Sequence, residues 1–199
     1  NNVAYIGATN QAYLLGCSIA SDPCEVDTEW PTYYSGGATE VGINDVAYDS
    51  VNGILYMGTT AEGRILRCRP SVAGCDATGE WSIAFDTSYE AVWSLTIDTT
   101  NNILYAGVGN NVSAGDTGEI LRCPLDDGTS SCDAQADFED WGGTLSLDSA
   151  ETAIRSLTFD SEHGRIFAAS SENGYVYECI ITTSCDATGD WSTSYDSAN

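Results

Sequence analysis

Lysine is absent from the sequence, and the only basic side chains are six arginines: Arg64, Arg67, Arg69, Arg122, Arg155 and Arg165. They stand against thirty acidic residues, for a net charge of −24. So few cations exclude binding to nucleic acid by phosphate neutralisation, which works by displacing counterions with basic side chains. The same imbalance disfavours anionic membrane surfaces. It suits solubility, and it also suits a surface that attracts divalent cations. Histidine is nearly missing: His163 stands alone, so neither a His-rich zinc site nor an HExxH motif can be built. No apolar run approaches the roughly 18 residues of a membrane-spanning helix. The opening stretch, NNVAYIGATN, has neither the basic start nor the apolar centre of a signal peptide. A Gly-x-Ser-x-Gly nucleophile elbow is also lacking.

What the chain does have is cysteine, and it has it in pairs. The eight cysteines fall as Cys17/Cys24, Cys68/Cys75, Cys123/Cys132 and Cys179/Cys185. These spacings are too wide for CxxC zinc knuckles. One pair at the same place in each of four similar segments predicts four local disulfides. Disulfides in turn predict an oxidising compartment, so a secreted or extracellular protein.

Those four segments are the main organising feature. The run from Ala91 to Leu125, AVWSLTIDTTNNILYAGVGNNVSAGDTGEILRCPL, reads as three strands separated by turns. Its phrases recur: ILYMG and RIFAA for ILYAG, RILRC and YVYEC for EILRC, and IRSLTFD for VWSLTID. A period of about 50 residues carrying four short strands is the signature of propeller blades. We therefore expect an all-β, four-bladed β-propeller forming a single domain over residues 1–199. Its repeats lie at about 1–40, 41–86, 91–148 and 152–199. Within a blade, strand A is DVAYD, VWSLTID or IRSLTFD, and B is VAYIG, ILYMG, ILYAG or RIFAA. C ends at the first cysteine, and D begins at Trp30, Trp81, Trp141 or Trp191. Small residues in strand B suit a crowded centre. Asp49, Asp98 and Asp160 close strand A and start a turn in which Gly or Asn supplies a positive φ.

Between strands C and D, GCDATGEW (74–81) and SCDATGDW (184–191) resemble the Asp-box of sialidase-type β-propellers, S-x-D-x-G-x-x-W. Ser184, Asp186 and Trp191 fall in register, and Gly189 is one place late. The second copy has Gly74 in place of the serine. The first repeat has Glu25 in place of the aspartate, and the third stretches the loop between Asp133 and Trp141. The resemblance implies a structural turn on each blade and does not imply glycosidase activity.

The strand count does not close, because B, C and D occur four times and A three times. The first blade lacks its innermost strand. Further repeats, a strand from a neighbouring molecule, or an open ring would each account for this. An unpaired inner edge templates association, and head-to-tail contacts that do not close build fibres. The expected function is therefore non-enzymatic: a secreted structural or adhesive propeller, self-associating as a homo-oligomer or filament. The alternative is a secreted carbohydrate-binding propeller whose partners are glycans, with Trp93, Tyr33, Tyr34 and Tyr89 as aromatic platforms. A glycoside hydrolase comes third, since thirty acids make any carboxylate pair easy to propose. The recurring Asp49, Asp98 and Asp160 are calcium candidates, against the alternative that each merely caps its turn. Asn111, in Asn111-Val112-Ser113, is a glycosylation sequon.

Overall fold

The computed structural model describes the chain except residues 1–2, 21–23, 38–41, 71–73, 88, 111–117, 126–131, 133–138, 141–151, 182–184, 186–187 and 197–199. Among the described residues the regular structure is almost entirely strand, with single 3₁₀ turns between some strands. None of it is long and apolar enough to cross a membrane as a helix.

The first repeat forms β1 (Val3–Ala8), β2 (Tyr13–Ser18) and β3 (Thr32–Ser35), an antiparallel three-stranded sheet. The second forms β4 (Gly42–Asp49), β5 (Ile54–Thr60), β6 (Arg64–Cys68) and β7 (Ser82–Asp86), paired in chain order. The third forms β8 (Ala91–Asp98), β9 (Ile103–Gly109), β10 (Glu119–Pro124) and the short β11 (Glu139–Asp140). The fourth forms β12 (Ile154–Asp160), β13 (Arg165–Ser170), β14 (Val176–Ile180) and β15 (Trp191–Tyr195). The described sheets differ from four separate leaves in one respect. A single bridge, Thr60 to Ala91, fuses the sheets of the second and third repeats. Gly109 and Ala153 make the corresponding bridge between the third and fourth. In both places the end of strand B meets the start of the next strand A, where adjacent sheets converge.

The core is not inside the sheets but between them, and strand alternation puts it there. In β5, Ile54 and Tyr56 face onward to the third repeat, whereas Leu55 and Met57 face back to the first. In β9, Leu104 and Ala106 face back, and Tyr105 faces onward against Ile166 and Tyr177. Three apolar clusters result, one at each junction of consecutive repeats. No packed junction joins the first sheet to the fourth among the described residues.

Strand B glycines let these junctions close. A Cβ on Gly7 would lie 2.8 Å from the carbonyl oxygen of Ile43, and one on Gly107 would lie 2.7 Å from that of Ile154. On Gly58 it would lie 2.6 Å from Val92 Cγ1. The corresponding residue of the fourth repeat is Ala169, on the sheet that carries no further junction within the described chain.

All four disulfides form within their own repeats, Cys17–Cys24, Cys68–Cys75, Cys123–Cys132 and Cys179–Cys185, with Cα atoms 5.7 to 5.9 Å apart. The second cysteine of every pair has a positive φ, at Cys24, Cys75, Cys132 and Cys185. The bridge thus holds a left-handed backbone residue that has no glycine to ease it.

Candidate functional site

The sequence candidates separate once they are placed. Asp49, Asp98 and Asp160 end β4, β8 and β12 and so sit in three different repeats. Asp49 Oδ1 accepts the N–H groups of Val51 and Asn52, and Oδ2 accepts Asn52 Nδ2. Asp98 repeats this with Thr100, Asn101 and Asn101 Nδ2. Asp160 repeats it with Glu162, His163 and His163 Nδ1, the last at 2.7 Å. The one histidine thus occupies the turn position that Asn holds elsewhere. Its hydrogen bond holds the Asp160 carboxyl below the usual carboxylate range. Gly53, Asn102 and Gly164 supply the positive φ in the three turns. A cation would compete with hydrogen bonds to both oxygens of each carboxylate. Among the described residues no group of three or more His, Cys, Asp or Glu side chains gathers in a way that could hold a metal. The sequon Asn111, Trp141, Ser184 and Asp186 lie outside the described residues.

The loops between strands C and D are held by a residue that sequence reading overlooked. Glu80, just before Trp81, uses Oε2 to accept the N–H groups of Asp76 and Ala77, and Glu29 does the same for Glu25 and Val26. The carboxylate that gathers the turn is therefore the one beside the tryptophan rather than the box residue. A 3₁₀ turn, Asp27–Glu29 or Thr78–Glu80, carries that acid, so in the first two repeats strand D begins after the tryptophan. Trp81 meets Tyr34 of the preceding sheet edge-on, at 5.9 Å between centroids. Thr78 Oγ1 accepts the N–H of Ser35 on the edge of β3. The loop of the second repeat thus locks onto the first repeat.

Of the aromatic candidates, Tyr33 packs edge-on against Tyr5, Tyr34 is buried, and Tyr89 lies against the core between the second and third repeats. Trp93 differs. Strand pairing skips one residue at the same place in each strand A: Asn44 in β4, Trp93 in β8 and Arg155 in β12. A bulge re-aims its side chain, and here it aims each one at the neighbouring strand A. Asn44 Nδ2 donates to the Val92 carbonyl at 2.8 Å. The Arg155 guanidinium lies over the Trp93 ring, 3.6 Å from its centroid. Trp93 Nε1 donates to the Gly109 carbonyl. Asp45, next to the first bulge, also reaches across: Oδ2 accepts the Leu95 N–H at 2.7 Å, and Oδ1 accepts that of Val46. Burial raises the Asp45 carboxyl above its ordinary range.

Beside this row opens a cavity of about 520 Å³. The first repeat contributes Thr9, the second Asn44, Thr60 and Ala61, and the third Glu90, Ala91 and Trp93. The one sequence signal for the row was a departure from repetition: Asn, Trp and Arg stand at equivalent places in strands that otherwise match. Three of the arginines are engaged by acids or by an aromatic ring of the chain itself. Arg64 pairs with Glu62 and Asp86, Arg155 stacks on Trp93, and Arg165 pairs with Glu178.

No protein-family model and no curated protein matches the chain. Solved structures do. Two crystal structures of Sqt1 from Chaetomium thermophilum match over 94% of this chain and 42% of theirs, at 12% and 15% identity and TM-scores of 0.58 and 0.55. A nidogen/laminin complex matches 96% of this chain and 77% of its own at 13% identity, with a TM-score of only 0.42. At these identities the likeness to the Sqt1 structures is one of fold alone, an all-β, propeller-like one. The chain spans less than half the length of the Sqt1 chains.

Proposed function

We propose that this is a non-enzymatic secreted structural or adhesive protein whose four repeats act as four propeller blades. On this reading copies associate head to tail through the first and fourth sheets. The observation that carries it is the repetition of junction surface at both ends. Ile6 of β1 and Leu15, its partner on β2, occupy the back-facing positions that Met57 and Leu66 fill between the first two repeats. Ile6 is 50% exposed. At the other end, Phe167 and Val176 occupy the onward positions of Tyr56 and Ile65. Tyr195, opposite Val176 and 58% exposed, extends that face. Each internal junction buries such a pair of faces, and a second copy would supply the partner each end lacks. Among the described residues no strand pairs with the inner edge of β1, and such an edge invites further strand pairing. The four local disulfides favour an oxidising, extracellular setting.

Light scattering coupled to size exclusion, with negative-stain imaging over a range of concentrations, tests the proposal. The expected result is growth in particle mass with concentration, abolished by Ile6→Asp and separately by Phe167→Asp. Monodisperse single-chain particles at every concentration would refute it.

A further inference from the structure

We infer that the inner edge of β1 is a docking site for an extended segment of a partner polypeptide, one with the residue pattern of strand A. The inference goes beyond self-association and does not rest on it. Among the described residues β1 pairs only with β2. Natural edges are normally blunted by charge, proline, bulges or shortness. The outer edges of this molecule follow that rule. The ladders to β3, β7 and β15 each break register once, and β11 has only two residues. β1 has none of these devices. Its sequence, VAYIGA, holds no charged residue and no proline, and it pairs with β2 along its whole length without a break.

The chain itself shows what such an edge binds. β4, β8 and β12 occupy the same edge of β5, β9 and β13. In each case the closing aspartate lies opposite the first residue of strand B: Asp49 opposite Ile54, Asp98 opposite Ile103 and Asp160 opposite Arg165. The residue after the bulge lies opposite Gly58, Gly107 or Ala169. On β1 the equivalent positions are Val3 and Gly7, so the register of a further ladder is set in advance. The shared pattern is Ile or Val, the bulge residue, Asp or Ser, Val or Leu, Ala or Thr, then Tyr, Ile or Phe, and Asp. All three strands of this pattern are engaged in their own sheets, so the occupant is a different segment, carried by a partner.

In strand addition the main chain supplies affinity and the side chains supply specificity. Here the neighbouring strand selects the bulge residue. A strand on β1 lies beside β4 as β4 lies beside β8. Asn44 of β4 donates to the Val92 carbonyl, and the residue of β4 equivalent to Val92 is Ile43. An asparagine at the bulge of the added strand donates to the Ile43 carbonyl in the same way. An arginine there finds no indole to cover, because β4 carries Asn44 where β8 carries Trp93. Of the three patterns in the chain, GINDVAYD (42–49) is therefore the one that fits the open edge best.

Fluorescence anisotropy and hydrogen exchange read by mass spectrometry test this on the intact, oxidised chain at physiological salt. The probe is a labelled synthetic peptide, GINDVAYD. Binding should saturate below about 1 mM. It should slow exchange of the Val3–Ala8 amides and leave those of β5, β9 and β13 unchanged, since their edges are already filled. Alanine in place of the peptide's asparagine should weaken binding about three- to tenfold, the loss of one hydrogen bond. A scrambled peptide of the same composition should not bind. No saturable binding up to that concentration, equal binding of the scrambled peptide, or protection outside β1 would each overturn the inference. Exchange at Val3–Ala8 that slows with protein concentration in the free chain would give the edge to a second copy and overturn it too. Growth in particle mass without peptide binding would refute this inference and leave self-association standing; peptide binding by a chain that stays single would do the reverse.

Discussion

Replacing Gly107 by alanine tests whether the sheets meet as closely as the junctions require. Gly107 lies on β9 opposite Ser94 of β8, and a methyl group there would sit 2.6 Å from Ser94 Oγ and 2.7 Å from the Ile154 carbonyl oxygen. The serine hydroxyl can rotate away. The carbonyl belongs to β12 of the next sheet and can yield only if that sheet moves. Overpacking of this kind costs about 1–3 kcal/mol. Removing a glycine from a strand returns roughly 0.5–1 kcal/mol. The net loss should be about 1–2 kcal/mol, and at roughly 2–4 °C per kcal/mol for a chain of this size the melting temperature should fall by about 2–8 °C. Differential scanning calorimetry on the oxidised protein measures it. Gly79→Ala is the matched control, since a Cβ there meets nothing within 4 Å. It should be neutral or slightly stabilising. Equal melting temperatures for the two variants would refute the close-contact argument, and with it the idea that strand B glycines exist for the neighbouring sheet.

Asp98→Ala should cost about 2–4 kcal/mol in urea unfolding, because a fully buried carboxylate that gathers three hydrogen bonds is lost and its donors are stranded. Asp98→Asn should recover part of it. Chelator should leave the melting temperature unchanged if the aspartates serve only their turns; a clear drop on chelation would instead assign them a cation. In acid the two perturbed aspartates should act oppositely. Asp160, held low chiefly by the His163 hydrogen bond, contributes stability above the unfolded Asp value of about 3.8 that is lost as pH falls through its folded value. Asp45, raised by burial, weakens the fold once ionised, and that penalty is relieved as pH falls through its folded value. Carboxyl-carbon NMR should find Asp45 titrating above, and Asp160 below, an ordinary aspartate, and the reverse order would overturn both assignments. Replacing Cys68 and Cys75 together by serine should cost about 2–2.5 kcal/mol from the seven-residue separation alone, measured by denaturant midpoint.

The turns and staples were legible in the chain because their physics is local. An aspartate followed three residues later by Asn or His, and then by Gly or Asn, specifies its own hydrogen bonds whatever surrounds it. Two cysteines six to nine residues apart can meet across one connection without reference to the rest of the molecule. ILYMG and ILYAG, with bulky residues on both sides, likewise carry the burial of both faces of the second and third sheets. The acid before each tryptophan was missed because the better-known box residue drew the reading, though its donors lie only a few residues away.

Sequence by itself therefore determined the repeat, its strands, its turns and its cysteine pairing, all of which follow from contacts within a few tens of residues. Only the tertiary structure decided which faces meet. Asn44, Trp93 and Arg155 fall into one row because three strands far apart in sequence stack with the same bulge in the same register. No pattern within a single strand encodes how closely the next sheet approaches, so the row, the cavity beside it and the glycine contacts appear only when the sheets pack.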